Sequence, residues 1–256
     1  MIRLLRLVGI AAHRNFLQWL AGRGFLVTIV FEQCVTPVLG LAVWSAALPG
    51  ADDVSTYYLA LLMVQLMTVS FEHHTLSNRI YAGSLSHDLL KPQPPVLTTI
   101  GENCALRAWH VLIGVPLIAI IWLVTGVAFE VSAVLLAVPA VLLAAVLRFL
   151  FTYALALSAF GTQQAHGAVG FGETLIFLLG GSAAPIAFFP GTFQAFGEFL
   201  PFRAMLGLPA EIASGTIDRE QVLAGYAWQI VWLAAFTAAA VIDWRRGVRR
   251  FTAVGG

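Results

Sequence analysis

The chain has 256 residues, of which 11% are charged and 59% apolar, whereas a soluble domain carries roughly a quarter charged residues. A soluble fold of this size has no interior large enough for that apolar surface, and a formal net charge of +1 gives no electrostatic case for nucleic acid as a partner. The apolar residues fall in blocks long enough to cross a hydrocarbon core of about 30 Å, which takes roughly 20 helical residues, so the sequence reads as an all-α membrane protein.

Residues 1–24 place Leu4, Leu5, Leu7, Val8, Phe16, Leu17 and Leu20 largely at helical spacing, with Arg3, Arg6, Arg14 and Arg23 around them. That pattern predicts an amphipathic helix lying in the membrane interface. It is not read as a signal peptide, because His13, Arg14 and Asn15 interrupt the apolar run and no small-residue cleavage site follows. Six apolar blocks come next, at 25–48, 54–71, 108–129, 131–160, 168–189 and 223–242, and each is expected to span the bilayer as a helix that satisfies its own backbone. The second is expected to run on through Thr75 to Ile80 as a polar helix end.

Two connections are more than turns. Residues 77–107 contain Gly83, Ser84, Ser86, His87 and Asp88, then Lys91-Pro92-Gln93-Pro94-Pro95, which predicts a short amphipathic helix ended by prolines. Residues 190–221 mix aromatics with Pro201 and Pro209, a composition that predicts short re-entrant helices before the last span. No internal repeat or low-complexity linker is visible, so residues 1–256 read as a single domain.

Lysine and arginine placement sets the orientation. Arg3, Arg6, Arg14 and Arg23 precede the first block, Arg79, Lys91 and Arg107 follow the second, and Arg245, Arg246, Arg249 and Arg250 follow the last. An even number of spans puts all of them on one side, so both termini are expected in the cytoplasm. The opposite side carries Asp52, Asp53, Glu130, Glu198, Glu211, Asp218 and Glu220, offset only by Arg203 and Arg219.

Lys91 is the only lysine and a proline follows it, so the chain lacks the G-x-x-x-x-G-K-[ST] loop that cradles ATP phosphates. Gly83-Ser84-Leu85-Ser86-His87 has no G-x-S-x-G nucleophile elbow. No metal site is expected at Glu72-His73-His74, since adjacent histidines on a helix point to different faces and zinc-ligand spacings are missing; this stretch reads as a polar helix end. Cys34 in an apolar block and Cys104 in a loop are expected to remain unpaired thiols. Glu32, Arg148 and Glu173 lie inside apolar blocks, where an ionisable group needs a partner or a water-filled cavity. Either they face a translocation path, or Arg148 pairs with one of the glutamates. Gly161, Gly167, Gly170, Gly172, Gly180 and Gly181 around the fifth block permit close helix approach.

The order of Gly83-Ser84-Leu85 leading to Leu89-Leu90-Lys91-Pro92, then Pro185, Phe189-Pro190, Leu200-Pro201-Phe202, Pro209 and Gly215, resembles the six-span permeases of the ABC-2 superfamily, in particular a bacterial subfamily in which paired permeases accompany a separate ATPase. The resemblance implies an exporter subunit of the bacterial inner membrane without a cofactor of its own, with ATP and Mg bound on two partner ATPase subunits. It implies that the N-terminal helix and a coupling helix formed by Gly83, Leu85, His87, Asp88, Leu89, Leu90 and Lys91 dock on that ATPase. It also implies an external gate made of Phe189, Pro190, Phe193, Phe196, Phe199, Pro201 and Phe202, and a second permease, identical or a paralogue.

A cavity lined by leucine, phenylalanine and valine with Glu32 or Glu173 suits a drug-like, amphipathic or organic-cation substrate, or one resembling the surrounding membrane lipids. An ion-coupled secondary transporter would more often show inverted repeats. A lipid-modifying enzyme would need acidic or histidine residues converging at one depth, which Glu32, Glu72, His73 and Glu173 do not supply by spacing alone. Reversing the charge of Arg245, Arg246, Arg249 and Arg250 should disturb insertion; a C-terminal topology reporter that kept its orientation would refute the charge argument.

Overall fold

The computed structural model describes residues 2–48, 50, 52–161 and 165–251, and among these every regular element is a helix. Helix α1 (Ile2–Ala21) meets α2 (Arg23–Ala47) at Gly22. Then come α3 (Asp52–Thr68), a break at residues 69–71, and α4 (Glu72–Tyr81), followed by α5 (Leu85–Leu89), α6 (Pro95–Thr125) and α7 (Val131–Leu157). The chain continues through α8 (Ala165–Leu179), α9 (Gly191–Phe199), α10 (Pro201–Met205), α11 (Gly207–Ser214) and α12 (Arg219–Arg250). Among the described residues, five stretches are long and apolar enough to cross a membrane: Leu26–Ala47, Asp53–Tyr81, Pro95–Thr125, Val131–Phe160 and Arg219–Arg250.

Burial is distributed as lipid requires. Leu123, Val124, Leu135, Leu142, Leu223 and Ile230 project outward, while Thr68, Glu72, His73, Asn103, His110, Arg148, Thr152 and Gln229 are buried. Local chemistry sets the helix ends. The proline run after Lys91 stops α5 and supplies Pro95 as the first residue of α6, where a missing N–H costs nothing. Asp218 and Gln221 close a reciprocal capping box at the start of α12.

The N-terminal helix is tied to α6. Phe16 stacks on Trp109 with ring centroids 4.4 Å apart, and the Trp109 indole donates to the Phe16 carbonyl at 3.2 Å. Ala11 meets Gly101 so closely that any side chain at that glycine would overlap it. A central cluster joins Tyr58, Leu61, Leu147, Phe151, Phe202, Met205 and Leu206, so α3, α7 and α10 share one core.

Helices α7 and α12 run parallel. Tyr226 donates to the Leu136 carbonyl, Gln229 to that of Ala140 at 3.0 Å, Phe236 meets Phe151 with ring centroids 5.5 Å apart, and Gly247 abuts Phe160. The chain between them must therefore travel back along the length of α7. It does not do so as the single helix expected over 168–189. Helix α8 ends at Leu179, and at about 1.5 Å per residue its 15 residues reach about 22 Å. A buried turn follows at Gly180, Gly181 and Ser182, with Gly181 at φ +88°, a conformation only glycine adopts without strain. The carbonyls freed there are capped from the second and third helices. Tyr57 donates to Gly181 O at 3.0 Å, Trp44 to Ala183 O at 3.0 Å and Tyr58 to the same oxygen at 3.4 Å.

Two further expectations change. The loop over 77–107 is narrower, because α6 already begins at Pro95 and Arg107 stands inside a helix rather than among solvated charges. Of the glycines around the fifth block, Gly172, Gly180 and Gly181 make close contacts, whereas Gly167 and Gly170 face open space. Both cysteines are free, Cys34 buried and Cys104 exposed. The side chain of Arg23 and residues 252–256 lie outside the described residues. A Gly181→Ala substitution, which would also drive its Cβ into the Tyr57 hydroxyl, should cost about 1–3 kcal/mol. Tyr57→Phe should cost about 1 kcal/mol. Thermal unfolding of the two variants in detergent checks the order.

Candidate functional site

Interrupting a membrane helix frees carbonyls that water cannot reach, each at a cost of several kcal/mol if left alone. At the break after Thr68 the donors come from α6. Arg107 Nε donates to Val69 O at 2.9 Å, and its Nη2 reaches Thr68 O at 3.5 Å, Ser70 Oγ at 2.9 Å and, on α7, Ala145 O at 2.6 Å. One turn earlier on the same face, Asn103 donates to Ser70 Oγ at 3.1 Å and to the carboxylate of Glu72. The other Glu72 oxygen accepts from Thr152 at 2.6 Å, and Arg148, one turn before Thr152, donates Nη1 to Thr68 Oγ1 at 3.2 Å. The break is thus laced to two neighbouring helices by residue pairs four apart.

Beside it lies a cavity of about 980 Å³ whose walls draw residues from each of α1 to α8. Glu32, Glu72, His74, Arg148 and Glu173 all line it, with Gln33 and Gln65, the Gln65 amide donating to Gln33 at 3.2 Å. The three ionisable residues singled out in the apolar blocks therefore converge on one space. Arg148 does not pair with either glutamate: its bond goes to Thr68, and its buried Nε has no hydrogen-bond partner. Glu173 instead places Oε1 2.9 Å from Nε2 of His73. The two adjacent histidines, expected to diverge, have ring centroids 4.3 Å apart at the first turn of α4.

At the arginine-rich end of the helices, Gly83 takes φ +68° and opens α5. Arg79 on α4 reaches Asp88 on α5 at 3.4 Å and Glu102 on α6 at 3.0 Å, and Lys91 reaches Asp88 at 2.7 Å. The expected docking leucines divide: Leu85 is fully buried and Leu89 packs beside it on Leu76, Ile80 and Tyr153. Leu90 is 86% exposed, and His87 and Lys91 are exposed as well. A five-residue helix that must first anchor itself on its own core has only one apolar side chain left to offer.

The aromatics read as a gate also divide. Phe193, Phe196 and Phe199 project outward, whereas Phe202 and Pro201 are buried, Phe202 edge-on to Phe151 at 5.8 Å. Phe189 is half-buried and Pro190 begins α9. Nearby, Arg203 and Glu211, assigned by charge to the opposite side from the arginine clusters, form a buried forked pair with Nη2–Oε2 at 2.6 Å.

Asn103, Arg107, Thr152 and Glu72 escaped the sequence reading as site residues. Their signal was the recurrence of polar residues four apart, Asn103 with Arg107 and Arg148 with Thr152, in otherwise apolar segments.

These features define a multi-pass helical membrane protein with a polar cavity between its spans. The family profile described as "ABC-2 family transporter protein" matches residues 22–255. The chain belongs to this family and is thus a permease of an ABC transporter, a transport subunit of a family whose members work with ABC ATPase partners. No curated protein and no solved structure matches it.

Arg107→Met should remove the guanidinium shared by Thr68, Val69, Ser70 and Ala145 and leave the Val69 carbonyl only its 3.4 Å bond from Asn103, at a cost of about 1–3 kcal/mol in all, and Arg107→Lys should recover part of the loss. Thermal stability in detergent reads both.

Proposed function

We propose that the chain forms the substrate pathway of an exporter in the bacterial inner membrane, coupled through α5 to a separate ATPase that binds ATP and Mg. The convergence of Glu32, Arg148 and Glu173 on one cavity between spans carries this reading. The parallel run of α7 and α12 supports a sixth traverse made in pieces, by α8 and the short helices that follow it, and hence termini on the same, cytoplasmic side. Helices α9 to α11 are then the re-entrant segment, and Phe193, Phe196 and Phe199 meet lipid or a second permease rather than one another.

Coupling has a short mechanical route. The exposed face of α5, with His87, Leu90 and Lys91, meets the ATPase, Arg79 ties α5 to α4 and α6, and α4 begins at the break beside the cavity. A push on α5 is delivered by a ten-residue rod to the wall of the substrate space, the kind of rigid-body step that alternates access. Two ATPase subunits and a second permease, identical or a paralogue, complete the assembly. The cavity's amide and carboxylate wall at Glu32, Gln33 and Gln65 suits the cationic group of an amphipathic, drug-like substrate.

Leu90→Asp should lower substrate-coupled ATP hydrolysis of the copurified complex about tenfold, the effect of about 1.4 kcal/mol lost at the contact, while the spans remain inserted. Undiminished coupling in that variant would remove α5 from the interface. Glu32→Gln should change stimulation of the ATPase by organic cations and leave its basal rate alone; identical stimulation would exclude Glu32 from the pathway.

A further inference from the structure

We infer that the cluster of His73, His74 and Glu173 binds a divalent transition-metal ion such as zinc. One nitrogen from each imidazole and one carboxylate oxygen lie within 4.8 Å of one another, so small rotamer changes bring all three into a first coordination sphere. Imidazole and carboxylate are ligands that zinc accepts, and imidazole suits nickel and copper as well. Adjacent histidines seldom share a ligand, but here the break turns the chain just before them. Phe71 lies at 5.8 Å from the His73 ring and 5.9 Å from that of His74, and it stacks on both.

A second observation points to a ligand. His73 is only 4% exposed, its Nε2 lies 2.9 Å from Glu173 Oε1, and its Nδ1 has no hydrogen-bond partner. A buried imidazole facing a carboxylate and a second imidazole in this way is arranged as a donor set. His74 and Glu173 line the cavity, which gives an ion its entry path and leaves further coordination positions open to water. Arg148 shares that cavity and opposes a cation; the carboxylates of Glu72 and Glu173 in the same space offset it. An ion held here joins α4 to α8 and so fastens the short helix to the broken span.

Zinc binding depends on this cluster alone, and it stands or falls without the transport reading. The full chain, carrying an affinity tag without histidine, is purified in detergent, stripped with a chelator and titrated with zinc by equilibrium dialysis. One zinc per chain is expected, with His74→Gln and Glu173→Gln each weakening affinity about tenfold or more, while His13→Gln and His87→Gln leave it unchanged. Zinc should raise the unfolding temperature of the unaltered chain and not of the His74→Gln or Glu173→Gln variants, each compared with its own metal-free form. No saturable binding, or binding that survives both cluster substitutions, overturns the site.

Discussion

A helix that stops inside a hydrocarbon layer leaves carbonyls that only protein donors can satisfy, and the arrangement of this chain follows from meeting that demand twice. At residues 69–71 the donors are Arg107 and Asn103 from α6; at Gly181 and Ala183 they are Trp44, Tyr57 and Tyr58. Each break therefore fixes which helices must be neighbours. The guanidinium suits the first site because it delivers several N–H groups at fixed angles without needing a paired anion, and it serves Thr68, Val69, Ser70 and Ala145 at once. The second site uses neutral donors on long aromatic arms, which also fill the space left by the glycines.

Breaks of this kind divide the bundle into shorter helices joined by side-chain contacts. Helix α4 is bounded by the break at one end and by Gly83 at the other, and its polar ties run to α5, α6 and α7 through side chains rather than backbone. Its Leu76 and Ile80 also pack with Leu85, Phe149 and Tyr153, so polar and apolar contacts hold the same helix. The apolar cluster of Tyr58, Leu147, Phe151, Met205 and Leu206 forms a separate core shared by α3, α7 and the start of the α10–α11 segment.

Five of the six expected spans were legible, because lipid imposes a length and an apolar composition that few other segments meet. So was the short helix after Gly83, announced by the glycine and ended by prolines. The break after α8 was hidden: Gly180, Gly181, Ser182, Ala183 and Ala184 are as small and apolar as a packed span, and the groups that cap them lie 124 to 139 residues away in the chain. Arg107 misled for the opposite reason, since a charge near a predicted loop reads as solvated when its true partners are carbonyls 38 residues distant. The convergence of Glu32, Arg148 and Glu173 required tertiary structure, although their cost in lipid had marked each of them. In α5, five residues are too few for periodicity to say which leucines face inward.

The parallel course of α7 and α12 bears on how the protein is made. The segment between them is a series of short helices, with α8 the longest at 15 residues, and none is a strong candidate for release from the insertion machinery on its own. Val222, Leu208 and Ile212 pack on Ala137 and Ala140, and Gln229 bonds the carbonyls of both Ala140 and Ala204, so the native seat of α10 and α11 is completed only when α12 arrives. Residues 201–250 therefore reach their native packing as one unit, with Gln229 of α12 closing the seat of α10 and α11 against α7.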